Sequence, residues 1–89
     1  MTIDEVLVKA ENYLSDNDVA FLKRAYRFAE SAHEGQFRKS GEPYILHPVE
    51  VAGILVGLGM DSDTIAGGFL HDVVEDTEVT VEEIEENFN

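Results

Sequence analysis

Cysteine is absent from the 89 residues. Neither a disulfide nor a thiolate metal site is therefore open to the chain, and nothing points to an oxidising compartment. Base is scarce, with 6 Lys and Arg against 19 Asp and Glu and a net charge of −13. That balance argues against a DNA or RNA polymer as partner. No apolar run approaches the ~20 residues that span a bilayer. The first residues, Met1-Thr2-Ile3-Asp4-Glu5, carry acid where a signal peptide carries base. The expectation is a cytoplasmic chain without a membrane partner. No segment alternates apolar and polar residues between turn signals, and there is no repeat or low-complexity tract, so the fold class expected is all-α.

The charge that is present is unevenly placed. Five of the six bases (Lys23, Arg24, Arg27, Arg38, Lys39) fall between positions 23 and 39, whereas Asp61 to Asn89 holds ten acids and no Lys or Arg. Most of these acids read as solvated helix faces. A small anionic ligand remains compatible with the chain if a metal and a few local bases offset the repulsion.

About five helices are expected. The first covers 2–14, where Thr2 and Glu5 fit a capping box and Ile3, Val6, Leu7, Ala10 and Leu14 form one stripe. A second runs from about Asp18 to Glu34 with a wide apolar face, and Gly35 is its natural stop. Residues from Gln36 to Leu46 have no period and read as a loop. His47-Pro48 opens a third helix with Pro at its first position. That helix is apolar almost all round, hence central, and Gly59 ends it. Asp61 or Ser62 caps a fourth, Asp63 to about Val74, in which Ala66-Gly67-Gly68 permits close approach of a neighbour. Thr80 with Glu83 opens a last helix that runs to Asn89. Its apolar residues (Val81, Ile84, Phe88) stop early, so a domain cut short is expected. With few later residues to cover the third helix, self-association into a homo-oligomer is expected too.

The chemistry concentrates in one stretch, Gly68-Phe69-Leu70-His71-Asp72-Val73-Val74-Glu75-Asp76-Thr77. If helical, it sets His71 one turn from Glu75 and Asp72 one turn from Asp76. A vicinal His-Asp can give two ligands to a divalent cation, and a carboxylate a turn away can take a proton from water. His33 reads as a helix C-terminal cation or a surface residue. His47 reads equally as a capping residue or as a ligand.

In combination the motifs are more specific. Phe37-Arg38-Lys39-Ser40-Gly41-Glu42-Pro43-Tyr44-Ile45-Leu46-His47-Pro48 and Gly67-Gly68-Phe69-Leu70-His71-Asp72-Val73-Val74-Glu75-Asp76-Thr77 resemble the N-terminal hydrolase domain of the RelA/SpoT family. The resemblance implies an incomplete HD-type metallohydrolase fold over 1–89. His47, His71 and Asp72 would be metal ligands, manganese the cofactor, and Glu75-Asp76 the acidic pair that activates water. Arg38, Lys39 and Ser40 would hold a guanine nucleoside. The reaction implied removes the 3′-diphosphate of (p)ppGpp as pyrophosphate and leaves GDP or GTP, as in the stringent response. Glu75 is the first choice for the proton-accepting group, because helical spacing puts it beside His71; Asp76 would orient the water. The family's fourth ligand, an aspartate, has no match here, so the chain alone is expected to bind metal weakly and to hydrolyse poorly or not at all, and synthetase activity is excluded. A different HD phosphohydrolase and a catalytically dead helical interaction module are the rivals.

Overall fold

The computed structural model describes residues 1–88. It is all-α: five helices and one single-turn element, with no β-strand among the described residues. Helix α1 is Ile3–Glu11, α2 Asp16–Ala32, α3 Leu46–Gly57, α4 Ser62–Leu70, the single turn α5 Val73–Asp76, and α6 Val81–Phe88.

Local chemistry sets most boundaries. The Thr2–Glu5 capping box forms reciprocally, at 3.0 Å from the Thr2 amide to the Glu5 carboxylate and 3.2 Å from the Glu5 amide to the Thr2 hydroxyl. Ser15 caps α2 by accepting from the Asp18 amide, and Asp61 caps α4 by accepting from the Thr64 amide at 2.8 Å. After α2, Gly35 takes φ +80°, and Gly59 takes φ +72° after α3; both are left-handed positions that favour glycine. The Thr80–Glu83 pair opens α6 as expected. The expected end of that helix at Asn89 lies outside the described residues.

Four expectations are corrected. Helix α1 stops at Glu11 rather than residue 14, because the chain must reach the extended backbone (φ −69°, ψ 163°) with which Ser15 caps α2. Pro48 sits third in α3, not first; it is still in the first turn, where its missing N–H leaves no bond unmade. Helix α3 is not the central one, since α4 packs between it and α2; the shortage of cover expected for α3 shows at Ile54 and at Leu58 just past its end, 64% and 65% exposed. The fourth helix does not continue to Val74. It ends at Leu70, and α5 begins after the break. At the break the His71 Nδ1 bonds the Gly68 carbonyl at 2.9 Å, a side chain competing with the backbone for the last helical acceptors.

The core lies where α4 packs between α2 and α3, with α1 closing one side. Leu22, Ala25 and Ala29 of α2, Val49, Ala52 and Val56 of α3, and Ile65, Ala66 and Phe69 of α4 are buried together. Phe69, fully buried, meets the Tyr26 ring edge-on at 5.7 Å between centroids. Helix α6 docks on α2 through Phe88, edge-on to both Phe21 and Phe28. The short link from α3 to α4 turns the chain back so that the start of α3 lies beside the end of α4.

Candidate metal centre

Gly68 decides how near α3 and α4 come. A Cβ there would lie 3.0 Å from Leu55 Cδ1 and 3.3 Å from Val51 Cγ1, so only glycine leaves those side chains undisturbed. The close crossing carries His47, in the first turn of α3, up to His71 at the end of α4. Their rings lie 5.9 Å apart between centroids.

Asp72 completes a group of three. Its Oδ2 is 3.1 Å from His71 Nε2 and 3.8 Å from His47 Nε2. One donor atom from each of His47, His71 and Asp72 lies within 4.8 Å of the others. The Asp72 side chain is 16% exposed, against 43% for His71, so the group opens to solvent on the imidazole side. The bond from His71 Nδ1 to the Gly68 carbonyl makes that nitrogen an N–H donor and turns Nε2 toward the group. Metal-ligating histidines are commonly held in this way. Two imidazole nitrogens and a carboxylate oxygen suit a borderline divalent cation.

Asp76 is tied to the group without belonging to it. The Tyr44 hydroxyl lies 2.7 Å from Asp72 Oδ2 and 3.0 Å from Asp76 Oδ2. The bond to Asp72, then burial and Asp76, push the phenol well above its ordinary value, so it remains a donor at neutral pH. The Gln36 amide donates to the Asp76 carbonyl at 2.6 Å and its oxygen meets His33 Nδ1 at 3.0 Å. Glu75 is exposed, outside the three-residue group and without a side-chain hydrogen bond among the described residues.

His33 is 2% exposed rather than a surface residue. It packs on Tyr44 at 4.7 Å between ring centroids, and its Nε2 is buried without a hydrogen-bond partner among the described residues. His33, Gln36 and the bridging role of Tyr44 were not legible as site features. Their one signal is spacing: Tyr44 stands three residues before His47, and Gln36 three after His33.

Arg38, Lys39 and Ser40 lie on an exposed tight turn. Its ends pair Arg38 N with the Glu42 carbonyl and Tyr44 N with that of Gln36, and Gly41 takes φ +90° at the tip. The turn lines an open cleft of about 530 Å³ whose wall includes Tyr44, the same residue that touches Asp72. Arg38 also lines a smaller cleft with His47. The basic turn and the three-residue group are therefore neighbours, joined through Tyr44 and Arg38.

Residues 25–89 match the family model described as HD domain, and the chain belongs to that family. It is similar over most of its length to RelA/SpoT proteins. One from Vibrio cholerae, named guanosine-3′,5′-bis(diphosphate) 3′-pyrophosphohydrolase, is 47% identical over 79 residues, 89% of this chain and 11% of that one. The Escherichia coli K12 bifunctional (p)ppGpp synthase/hydrolase SpoT is 47% identical over 78 residues, 88% of this chain and 11% of its own. A Myxococcus xanthus protein named GTP pyrophosphokinase is 51% identical over 76 residues, covering 85% and 10%. The chain thus spans about a tenth of the length of these relatives. Among the described residues no helix is long and apolar enough to cross a membrane.

Proposed function

We propose that residues 1–89 are the N-terminal portion of an HD-type hydrolase domain that acts as a (p)ppGpp 3′-pyrophosphohydrolase. The observation that carries this reading is the convergence of His47 Nε2, His71 Nε2 and Asp72 Oδ2, in a chain similar to proteins named for that reaction. His47, His71 and Asp72 hold the cation, with manganese the choice for a mixed nitrogen and oxygen set. Bound there, it supplies Lewis-acid stabilisation of the phosphoryl oxygens and a more acidic water.

The remaining work falls to side chains of the chain. Arg38 offers a planar guanidinium to stack on the purine, Lys39 a point charge and Ser40 a hydroxyl. Glu75 is exposed and free to take the proton of the attacking water, while Asp76, fixed by Tyr44, orients that water. Attack breaks the bond between the ribose 3′-oxygen and phosphorus, releasing pyrophosphate and leaving GDP or GTP. The substrate is soluble and anionic, which fits a cytoplasmic protein of the stringent response.

The test is pyrophosphate release from ppGpp with Mn²⁺ by a full-length chain carrying this segment. Glu75→Gln there keeps metal binding and loses turnover, whereas His71→Ala loses both. Wild-type turnover in Glu75→Gln overturns the assignment of the base, and orthophosphate as product favours a different HD phosphohydrolase. A second reading, a helical module that works by association, is favoured by the exposed Ile54 on α3, Leu58 just past its end and Val8 on α1. The same side chains support self-association of the 89-residue chain. Light scattering at micromolar concentration is expected to show more than the monomer mass, and a monomer there would refute it.

A further inference from the structure

The Tyr44 side chain stands in an unusually constrained place. Its ring is packed between two imidazoles, His33 at 4.7 Å and His47 at 6.0 Å between centroids. Its backbone amide is bonded to the Gln36 carbonyl, and Gln36 in turn grips both His33 and the Asp76 carbonyl. The hydroxyl therefore has little freedom to move. It lies within 3.0 Å of two carboxylate oxygens that come from either end of α5, Asp72 Oδ2 and Asp76 Oδ2. A phenol carries one proton, so it donates fully to one carboxylate at a time.

The oxygen it bonds on Asp72 is the one that faces both histidines. We propose that Tyr44 is a positioning residue whose hydroxyl couples the cation-binding carboxylate Asp72 to the carboxylate of Asp76. The inference rests on the reading of His47, His71 and Asp72 as a cation site. As electron density on Asp72 Oδ2 is drawn toward a cation, that oxygen becomes the poorer acceptor and the phenol's proton turns toward Asp76. Filling the site thereby steadies Asp76 in one orientation, and Asp76 in turn leaves Asp72 Oδ2 free for the cation. Without the hydroxyl the two carboxylates face each other unscreened, and the Asp72 carboxylate rotates away from the histidines.

The experiment is a double-mutant cycle on the 89-residue chain with Mn²⁺ alone as probe, comparing wild type, Tyr44→Phe, Asp76→Asn and the pair. Tyr44→Phe removes one oxygen and keeps the stacked ring, so its melting temperature is expected to stay close to wild type. Its Mn²⁺ affinity is expected to fall about tenfold, in the range seen when a group that orients a metal ligand is removed. Asp76→Asn is expected to change affinity at least threefold less in the Tyr44→Phe background than in wild type. A readout free of metal accompanies it: exchange of the Asp76 and Thr77 amides, bonded to the Asp72 and Val73 carbonyls at 2.9 and 3.0 Å, is expected to quicken in Tyr44→Phe. Wild-type affinity in Tyr44→Phe, or strictly additive effects, overturns the role of Tyr44 alone. No Mn²⁺ binding by wild type contradicts the cation reading and removes this inference with it.

Discussion

Alanine placed at Gly67 and at Gly68, two neighbours within α4, is expected to stabilise at the first and not at the second. Each substitution gains the helix propensity that glycine lacks, about 0.8–1 kcal/mol. At Gly67 nothing lies within 4 Å of the new Cβ, so the whole gain is expected and the melting temperature rises by about 4–8 °C. At Gly68 the new Cβ stands 3.0 Å from Leu55 Cδ1 and 3.3 Å from Val51 Cγ1. Overpacking of that kind costs about 1–3 kcal/mol, which cancels or exceeds the same gain. The two variants are thus expected to differ by about 1–3 kcal/mol. Urea denaturation with a shared m-value measures the difference directly. If Gly68→Ala stabilises as much as Gly67→Ala, α3 and α4 do not cross closely there, and the approach of His47 to His71 loses its cause.

Phe69→Ala empties a fully buried aromatic site and breaks the edge-on pair with Tyr26, so a loss of about 3–5 kcal/mol is expected by the same denaturation. For 89 residues total stability is on the order of 4–13 kcal/mol, so much of the fold is at stake, and a loss under about 1 kcal/mol would refute the packing described. Burial, followed by the hydrogen bond to Glu30, pushes the Tyr26 phenol up to about 12. Folding therefore favours its protonated form: the contribution to stability is complete below pH ~10 and fades as pH rises through about 12. Tyrosinate absorbance is expected to appear later in the native chain than in the unfolded one, and Tyr26→Phe to reduce the alkaline loss; coincident titrations would count against it.

Much of the fold was legible because caps and glycines act locally. Thr2-Glu5, Asp61 and Thr80-Glu83 each bind an amide within three residues, and Gly35 and Gly59 sit where only the chain just before them must end. The break at His71-Asp72 was not legible. Apolar periodicity runs through it unbroken from Phe69 to Val74, and the competing bond from His71 Nδ1 to Gly68 is visible only in three dimensions. That α4 rather than α3 is central escaped for a related reason: hydropathy says which residues can be buried, not which neighbours exist to bury them. At the site, His47, His71 and Asp72 were recognisable from motif and resemblance, and the structure brings those three together. It brings Asp76 to them only through Tyr44 and leaves Glu75 outside. The tie between His33, Gln36 and Tyr44 depends on contacts across the turn from α2 to α3, which no periodicity encodes.

Titration of the chain with Mn²⁺, followed by loss of the free-ion electron paramagnetic resonance signal, is the most direct measurement of the three-residue centre. One site per chain is expected in wild type and in Glu75→Gln, with the site lost in both His47→Ala and His71→Ala. Binding that survives both histidine substitutions unchanged would contradict a centre built from His47, His71 and Asp72.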